Sequence, residues 1–272
     1  MRGAITIRLI PAARSEFIAM TTVGRVYLGL PAFNEEIALP RLLKRVESLA
    51  QSSRLPITVV VYNDGSTDTT AGIVTQWQPR IALVLLDCPH NKGLGVGLRA
   101  LFDYAVTIGK TDDVLVIMDC DDTHDPAQIP EMLAAVTNGA DVVIASRFRL
   151  GATVRGVPLL RRLTALGAVC LFKLIHPVRG VWDYTCGYRA YRIGALQDAA
   201  KRFRGRLVTE SGFACMVEAL LKLNASGVRC SEVGLHLRYD LKPTESKMAV
   251  SSNMRRLLVL LVRWRWRGFD TA

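Results

Sequence analysis

The sequence predicts an α/β fold built on a doubly wound, mostly parallel sheet. Three observations predict it. Short apolar runs alternate with amphipathic stretches at the spacing of repeated strand–helix units. The run at Val114 is apolar without alternation, as a strand buried on both faces requires. Polar and charged residues gather where the runs end, and open sheets of this kind bind ligands at the carboxyl ends of their strands.

Arg25 to Leu30 (RVYLGL) reads as the first strand, and the loop from Pro31 to Glu36 leads into a helix from about Leu39 to Ala50. Pro56 introduces a second strand, Ile57 to Tyr62, followed by Asn63-Asp64-Gly65-Ser66-Thr67-Asp68, a turn joined to a helix cap. The helix after it ends near Trp77, before Pro79, and a third strand occupies Ile81 to Asp87. The glycine-rich segment from His90 to Gly97 opens a helix running to about Ile108.

The fourth strand runs straight into Asp119, Cys120, Asp121 and Asp122. Three crowded carboxylates repel one another unless a cation offsets them, and oxygen-rich clusters of this sort hold Mg²⁺ or Mn²⁺. A helix is expected from Pro126, and a fifth strand from Ala140 to Ala145. Beyond Ser146 helices dominate. Leu159, Leu160, Leu163, Leu166, Cys170, Leu171, Leu174 and Ile175 recur at helical spacing, which fits either packing on the sheet or contact with a membrane. A helix from Ser211 to Leu223, a strand from Val228 to Leu237 and a terminal helix from about Lys247 complete the reading.

At 272 residues, half of them apolar, the chain can bury a proper core and is not a disordered protein. Its net charge of +11 is unevenly spread: Ala145 to Trp182 holds seven basic residues and no acid. Such stripes attract phosphates, anionic lipid heads or nucleic acid. The six cysteines form no CxxC pair, as expected of a reduced, cytoplasmic protein. No stretch reaches the about 18–20 apolar residues that a spanning helix needs. Residues 1–22 read as a poorly ordered extension, with Met20 a candidate start; 23–248 as the main domain; and 249–272 as a basic amphipathic helix. In that helix Arg256, Arg263 and Arg267 share a face flanked by Trp264 and Trp266, with Met254, Leu258 and Leu261 opposite. That pattern suits an anionic membrane interface, the alternative being a helix docked on the core that ends in a solvated tail.

The run Gly93, Gly95, Gly97 lacks the G-x-G-x-x-G spacing and follows the third strand, so a dinucleotide dehydrogenase is not expected, nor, without a Gly-Lys-Ser/Thr loop, a P-loop enzyme. Asn34, Glu35, Asp64 and Lys92 can hydrogen-bond a base and ribose, while the aspartate cluster can hold a metal on a diphosphate. Together they suggest a nucleotide-diphosphate ligand.

PAFNEE, YNDGSTDTT, NKGLGVGLRAL, VIMDCDDTHDP, ASRF, DYTCGYRAYR, TESGF and LRYDLKPTESKM, in this order from about Val26 to Met248, resemble the inverting family 2 glycosyltransferases. The resemblance is greatest to the dolichol-phosphate mannosyltransferase branch. It implies a GT-A fold, a GDP- or UDP-linked sugar donor and a divalent metal, Mg²⁺ or Mn²⁺. It further implies that Asp119 and Asp121 hold metal and diphosphate, that Pro31, Ala32, Glu35, Asp64 and Lys92 line the nucleotide, and that Arg147 meets the phosphates. Gly187 and Arg189 fall in the block that shapes the sugar and acceptor side, and Glu210 at an acidic position near the acceptor. Arg238, Ser246 and Lys247 match a late basic motif that closes over phosphate. The chain departs from the pattern at Asn63, which stands for the first Asp of D-D-G-S, at Thr123, where Gln is usual near the metal, and at Ala145, in place of Gly.

The expected function is transfer of a hexose, with inversion, to a polyprenyl phosphate at the cytoplasmic face of a membrane. A lipid monophosphate is already largely ionised at neutral pH, its second pKa being about 6, and needs basic residues but no base. A soluble hydroxyl acceptor is the alternative, and it would require Glu210 or Asp122 as general base. A non-catalytic nucleotide-binding protein is a further alternative. A nucleic-acid partner is not expected, because the acidic cluster would repel a phosphate backbone.

Overall fold

The computed structural model describes residues 6–8, 23–156, 167, 169–239, 257, 260–266 and 268–269. The strands are β1 (Thr6–Arg8), β2 (Val26–Ala32), β3 (Ile57–Asp64), β4 (Leu83–Cys88), β5 (Val114–Ile117), β6 (Val142–Ser146), β7 (Thr153–Arg155), β8 (Arg189–Arg192), β9 (Cys230–Gly234) and β10 (His236–Arg238). The helices are α1 (Leu39–Ser53), α2 (Thr70–Trp77), α3 (Leu94–Ile108), α4 (Ile129–Thr137), α5 (Ile193–Arg202) and α6 (Ala214–Ala225). An eight-stranded sheet runs in the order β1-β4-β3-β2-β5-β8-β6-β9, and β10 pairs with β7 in a second, two-stranded sheet.

β2 pairs in parallel with both β3 and β5, so the strand order turns back on itself beside β2. Such a switch point opens a crevice at the strands' carboxyl ends. β3 and β5 are buried along their whole length, which accounts for the unbroken apolar character of β5 and of the run from Val59 to Tyr62 in β3. β8 runs antiparallel between β5 and β6. It joins the two halves of the sheet, and its sequence, RAYR, gives no apolar run by which to find it. Thr6–Arg8, within the stretch expected as an extension, pairs antiparallel with β4.

The expected five parallel strands are all present, with shifts of one or two residues at their ends. Two elements differ more. The strand expected from Val228 to Leu237 is broken at Gly234, where an added Cβ would lie 2.8 Å from the Ala152 backbone nitrogen. The chain leaves β9 there and pairs again as β10. The helix α5 went unread, although Ile193, Leu196 and Ala199 lie on its buried face at helical spacing.

The helix expected to start near Leu159 is described only in part: residues 169–175 are helical, with Val169 and Phe172 buried and Leu174 82% exposed. At the carboxyl end Leu257, Leu260, Leu261 and Trp264 belong to the same apolar core as the sheet. That corrects the expected membrane face: Trp264 and Leu261 dock inward, while Val262 and Trp266 face out. Among the described residues no helix is long and apolar enough to cross a membrane.

Candidate active site

The loop after β5 carries the aspartate cluster on a frame of internal bonds. The Asp119 N–H donates to His124 Nδ1 at 3.2 Å, and the His124 ring stacks on Tyr188 with centroids 5.0 Å apart. Tyr188 in turn donates its hydroxyl to the Asp125 carbonyl at 2.9 Å. Asp121 Oδ1 accepts from the Thr123 backbone and hydroxyl, at 3.2 and 2.6 Å. Asp122 takes a left-handed backbone with φ 59°, is buried, and pairs with Arg45 of α1 at 2.6 Å. Arg45 also reaches Asp125, at 2.7 Å.

The loop therefore divides its acids. Arg45 balances Asp122 and Asp125, while Asp119, with its side chain 46% exposed, and the partly exposed Asp121 remain at the surface of the rim. Among the described residues no three His, Cys, Asp or Glu side chains are grouped to hold a metal on their own. Two carboxylates fit a hard cation that completes its shell with phosphate oxygens and water. Cys120 lies fully inside. Burial raises its thiol well above the ordinary value, and the Glu35 and Asp121 carboxylates reinforce this, which puts Glu35 beside the same loop.

On the other side of the switch point, Pro31 and Ala32 end β2, and Asn34 stands at φ 56°. Asn34 Oδ1 accepts from the Thr67 N–H at 2.9 Å, and the Glu35 N–H donates to Thr70 Oγ1 at 2.9 Å, tying this loop to the one after β3. Asp64 is buried, and its two oxygens accept from the backbone of Lys92 and Gly93, each at 2.8 Å. It thus shapes the glycine-rich loop, and the exposed Lys92 side chain stands at the rim. Asp68 accepts from Thr70 at the start of α2 and, through its other oxygen, from the Glu36 N–H at 3.1 Å, a second tie between the two loops.

The glycines serve close packing. Gly95 donates its N–H to the Ser211 carbonyl at 2.8 Å, and a Cβ there would lie 1.8 Å from the Glu210 carbonyl oxygen. The segment around Glu210 therefore rests directly on the start of α3. Glu210 is buried, donates its backbone N–H to Glu218 Oε2 at 2.8 Å, and accepts from Arg263 Nη2 at 3.1 Å. Glu218 is itself buried against Lys222 at 2.7 Å.

Two arginines are tied into the protein. Arg189, expected on the acceptor side, is fully buried and spends its guanidinium on the carbonyls of Cys186, Met216 and Tyr184, at 2.8, 2.7 and 2.7 Å. A group so enclosed shapes the C-G-Y-R turn and cannot touch an acceptor. Arg147, expected on phosphate, forms a two-pronged pair with the fully buried Asp183, at 2.8 and 2.6 Å. Burial opposes both charges, and the pairing outweighs it, raising Arg147 above its ordinary value and lowering Asp183 below its own. Arg147 thus brings little unbalanced charge to the rim.

The second half of the chain nevertheless returns to the aspartate loop. A Cβ on Gly187 would sit 3.4 Å from Asp119 Oδ1. The Arg238 N–H donates to the Thr123 carbonyl at 2.9 Å, and Leu237 bridges to His124. Ser246 and Lys247 lie outside the described residues. Arg45, Asp183, Glu218 and Asp87 were not singled out from sequence. Arg45 is one basic residue in an amphipathic helix and Glu218 one acid in another, and neither pattern reports a partner 77 residues away or a buried ion pair.

The model of the family described as glycosyl transferase family 2 matches residues 27–199. A polyprenol monophosphomannose synthase of Mycolicibacterium smegmatis is 29% identical over 254 residues, covering 90% of this chain and 88% of that protein. An undecaprenyl-phosphate mannosyltransferase of Micrococcus luteus is 30% identical over 249 residues, 90% of this chain and 97% of that protein. Among solved structures, glucosyl-3-phosphoglycerate synthase from Mycobacterium tuberculosis, in complex with Mg²⁺ and uridine-diphosphate, superposes with a TM-score of 0.63 at 18% identity, covering 90% of this chain and 80% of that one. The same synthase has also been crystallised with Mn²⁺, uridine-diphosphate and glucosyl-3-phosphoglycerate.

Proposed function

The chain belongs to glycosyl transferase family 2, and from that premise we propose that it moves a hexose from a nucleoside-diphosphate sugar to a polyprenyl phosphate at a membrane surface, inverting the anomeric centre. One observation carries the reading. The aspartate loop lies beside Glu35, of the loop after β2, and is bonded through the Thr123 carbonyl to the strand bearing Arg238. Both mannosyltransferase relatives act, by their names, on polyprenyl lipids.

Asp119 and Asp121 would hold Mg²⁺ or Mn²⁺ together with the donor's diphosphate. When bound, the cation offsets the charge that builds on the leaving nucleoside diphosphate. Thr123 keeps Asp121 oriented, and Arg45 keeps Asp122 from competing. Pro31, Ala32, Glu35 and Lys92 flank the nucleotide, and Asp64 holds the Lys92 loop in place. The acceptor phosphate oxygen attacks the anomeric carbon in line as the bond to the diphosphate breaks, so an α-linked donor gives a β-linked product. Arg238, with Ser246 and Lys247, would hold the acceptor phosphate. The rate comes from positioning and charge stabilisation.

A hydroxyl acceptor would require a general base. Asp122 is committed to Arg45 and Glu210 to Arg263, which favours an acceptor that arrives already ionised. The outward Trp266, Val262 and Leu174, with Arg263 and Lys173 among them, suit the interface of an anionic membrane at its cytoplasmic face. The test is transfer of labelled sugar from a panel of GDP- and UDP-hexoses to polyprenyl phosphate with Mg²⁺ or Mn²⁺. Metal-dependent product in the lipid phase is expected; transfer to soluble acceptors alone would overturn the lipid assignment.

A further inference from the structure

The position where this chain departs from D-D-G-S forms a pair that assigns a role to a residue outside the expected site. Asn63 is buried at the end of β3, and its Nδ2 donates to Asp87 Oδ1 of β4 at 2.8 Å. The two residues stand opposite each other in the β3–β4 register. Asn63 Oδ1 accepts from the Ser66 N–H at 3.2 Å, so the amide cannot turn its oxygen toward Asp87. An aspartate at 63 would face Asp87 as a like charge, and one of the two would have to give up its ionisation or its place. The amide makes the contact attractive and fixes the carboxylate's direction.

Asp87 is exposed, whereas Asp64 and Asp68 spend their oxygens on neighbouring backbone and side-chain groups. Among the described residues Asn63 is the one hydrogen-bond partner of the Asp87 carboxylate. Across the rim the order β5-β2-β3-β4 sets Asp87 three strand spacings from the aspartate loop, about 14 Å. That is the reach of a nucleoside diphosphate laid along the rim with its phosphates at Asp119 and Asp121. Its base then arrives at β4.

An ionised carboxylate only accepts hydrogen bonds. Guanine presents adjacent N1–H and N2–H donors to such a group, uracil presents the single N3–H, and adenine presents a ring acceptor that a carboxylate repels. Asp87 Oδ1 keeps a lone pair beyond the one Asn63 uses, so both oxygens can serve guanine's two donors. We propose that Asp87, aimed by Asn63, reads the donor base and selects guanine nucleotides. This rests on the donor site proposed above.

The experiment is calorimetric binding of GDP, UDP and ADP to the intact chain with Mn²⁺, for the unsubstituted protein, Asp87→Ala and Asn63→Asp. GDP is expected to bind tightest and ADP weakest. Asp87→Ala should cut the lead of GDP over ADP at least tenfold. Truncating an exposed side chain leaves the core intact, and a thermal midpoint checks this. Asn63→Asp, which keeps the side chain's shape, should erode the same lead by displacing Asp87. The proposal is overturned if UDP binds tighter than GDP to the unsubstituted protein, or if the lead survives Asp87→Ala. If none of the three nucleotides binds, the donor site itself is wrong and the assignment of Asp87 falls with it.

Discussion

Arg263, in the last described helix, donates to Glu210 Oε1 at 3.1 Å, across 53 positions of sequence. The contact ties the carboxyl end of the chain to the segment that rests on α3. It also commits one of the two acids that a hydroxyl acceptor would need as general base. With a phosphate acceptor, Glu210→Gln should lower kcat by less than about tenfold, whereas loss of a working general base costs about 10²–10⁴. Steady-state transfer assays on lipid phosphate and on a hydroxyl acceptor separate the two cases.

Asp121 is held by Thr123 and partly exposed at the rim. Asp121→Ala should reduce transfer by about 10²–10³ or more, as expected when a group that stabilises transition-state charge is removed. It should also weaken Mn²⁺-dependent nucleotide binding. Transfer persisting at the parental rate, with unchanged Mn²⁺ titration, would remove Asp121 from the metal assignment.

Asp183 is fully buried and paired with Arg147, and its carboxyl sits below its ordinary value of 3.8. A depressed acid adds stability that is fully present above the unfolded value and is lost as pH falls through the folded one. Unfolding midpoints in urea should therefore drop below about pH 4, and the drop should be shallower in Asp183→Asn. That substitution, which strands a largely buried Arg147, should itself cost about 3–5 kcal/mol at neutral pH.

Gly95 and Gly72 offer a matched pair. A Cβ at Gly95 would strike the Glu210 carbonyl, while nothing lies within 4 Å of one at Gly72, inside α2. Gly95→Ala should destabilise by about 1–3 kcal/mol and reduce activity by lifting the Glu210 segment. Gly72→Ala should be neutral or stabilise by up to about 1 kcal/mol. Thermal denaturation with parallel transfer assays reads both.

The residues proposed to meet the donor stand out in the sequence because each signal is local. An apolar run followed by polar turn formers marks a strand end, and Pro31, Glu35, Asp64, Lys92, Asp119 and Asp121 all sit within a few residues of one. The acceptor half was less readable because its logic is pairwise over long distances. Nothing adjacent to Arg189 announces that three carbonyls enclose it, and Arg147 gives no local sign of Asp183, 36 positions on. β8 escaped because Arg189 and Tyr191 break its apolar character although both are buried. The carboxyl-terminal helix was read with the correct residue types but the wrong face for Trp264, since periodicity alone does not say whether an apolar stripe meets protein or lipid.

The reversed strand β8 has a consequence for how such a chain can diversify. One continuous stretch, from β2 to the aspartate loop, carries the groups proposed for the nucleotide, while the chain after β6 begins its return to the same loop beside Gly187 and meets it again at Arg238. The two stretches meet along the whole β5–β8 pairing, where α3 packs on α5 and α6, and around the aspartate loop, where Asp119 approaches Gly187 and Thr123 bonds to Arg238. So broad a seam means that the later stretch can be exchanged only together with the faces of β5 and α3 that it covers, and a graft has to bring a matching complement to both.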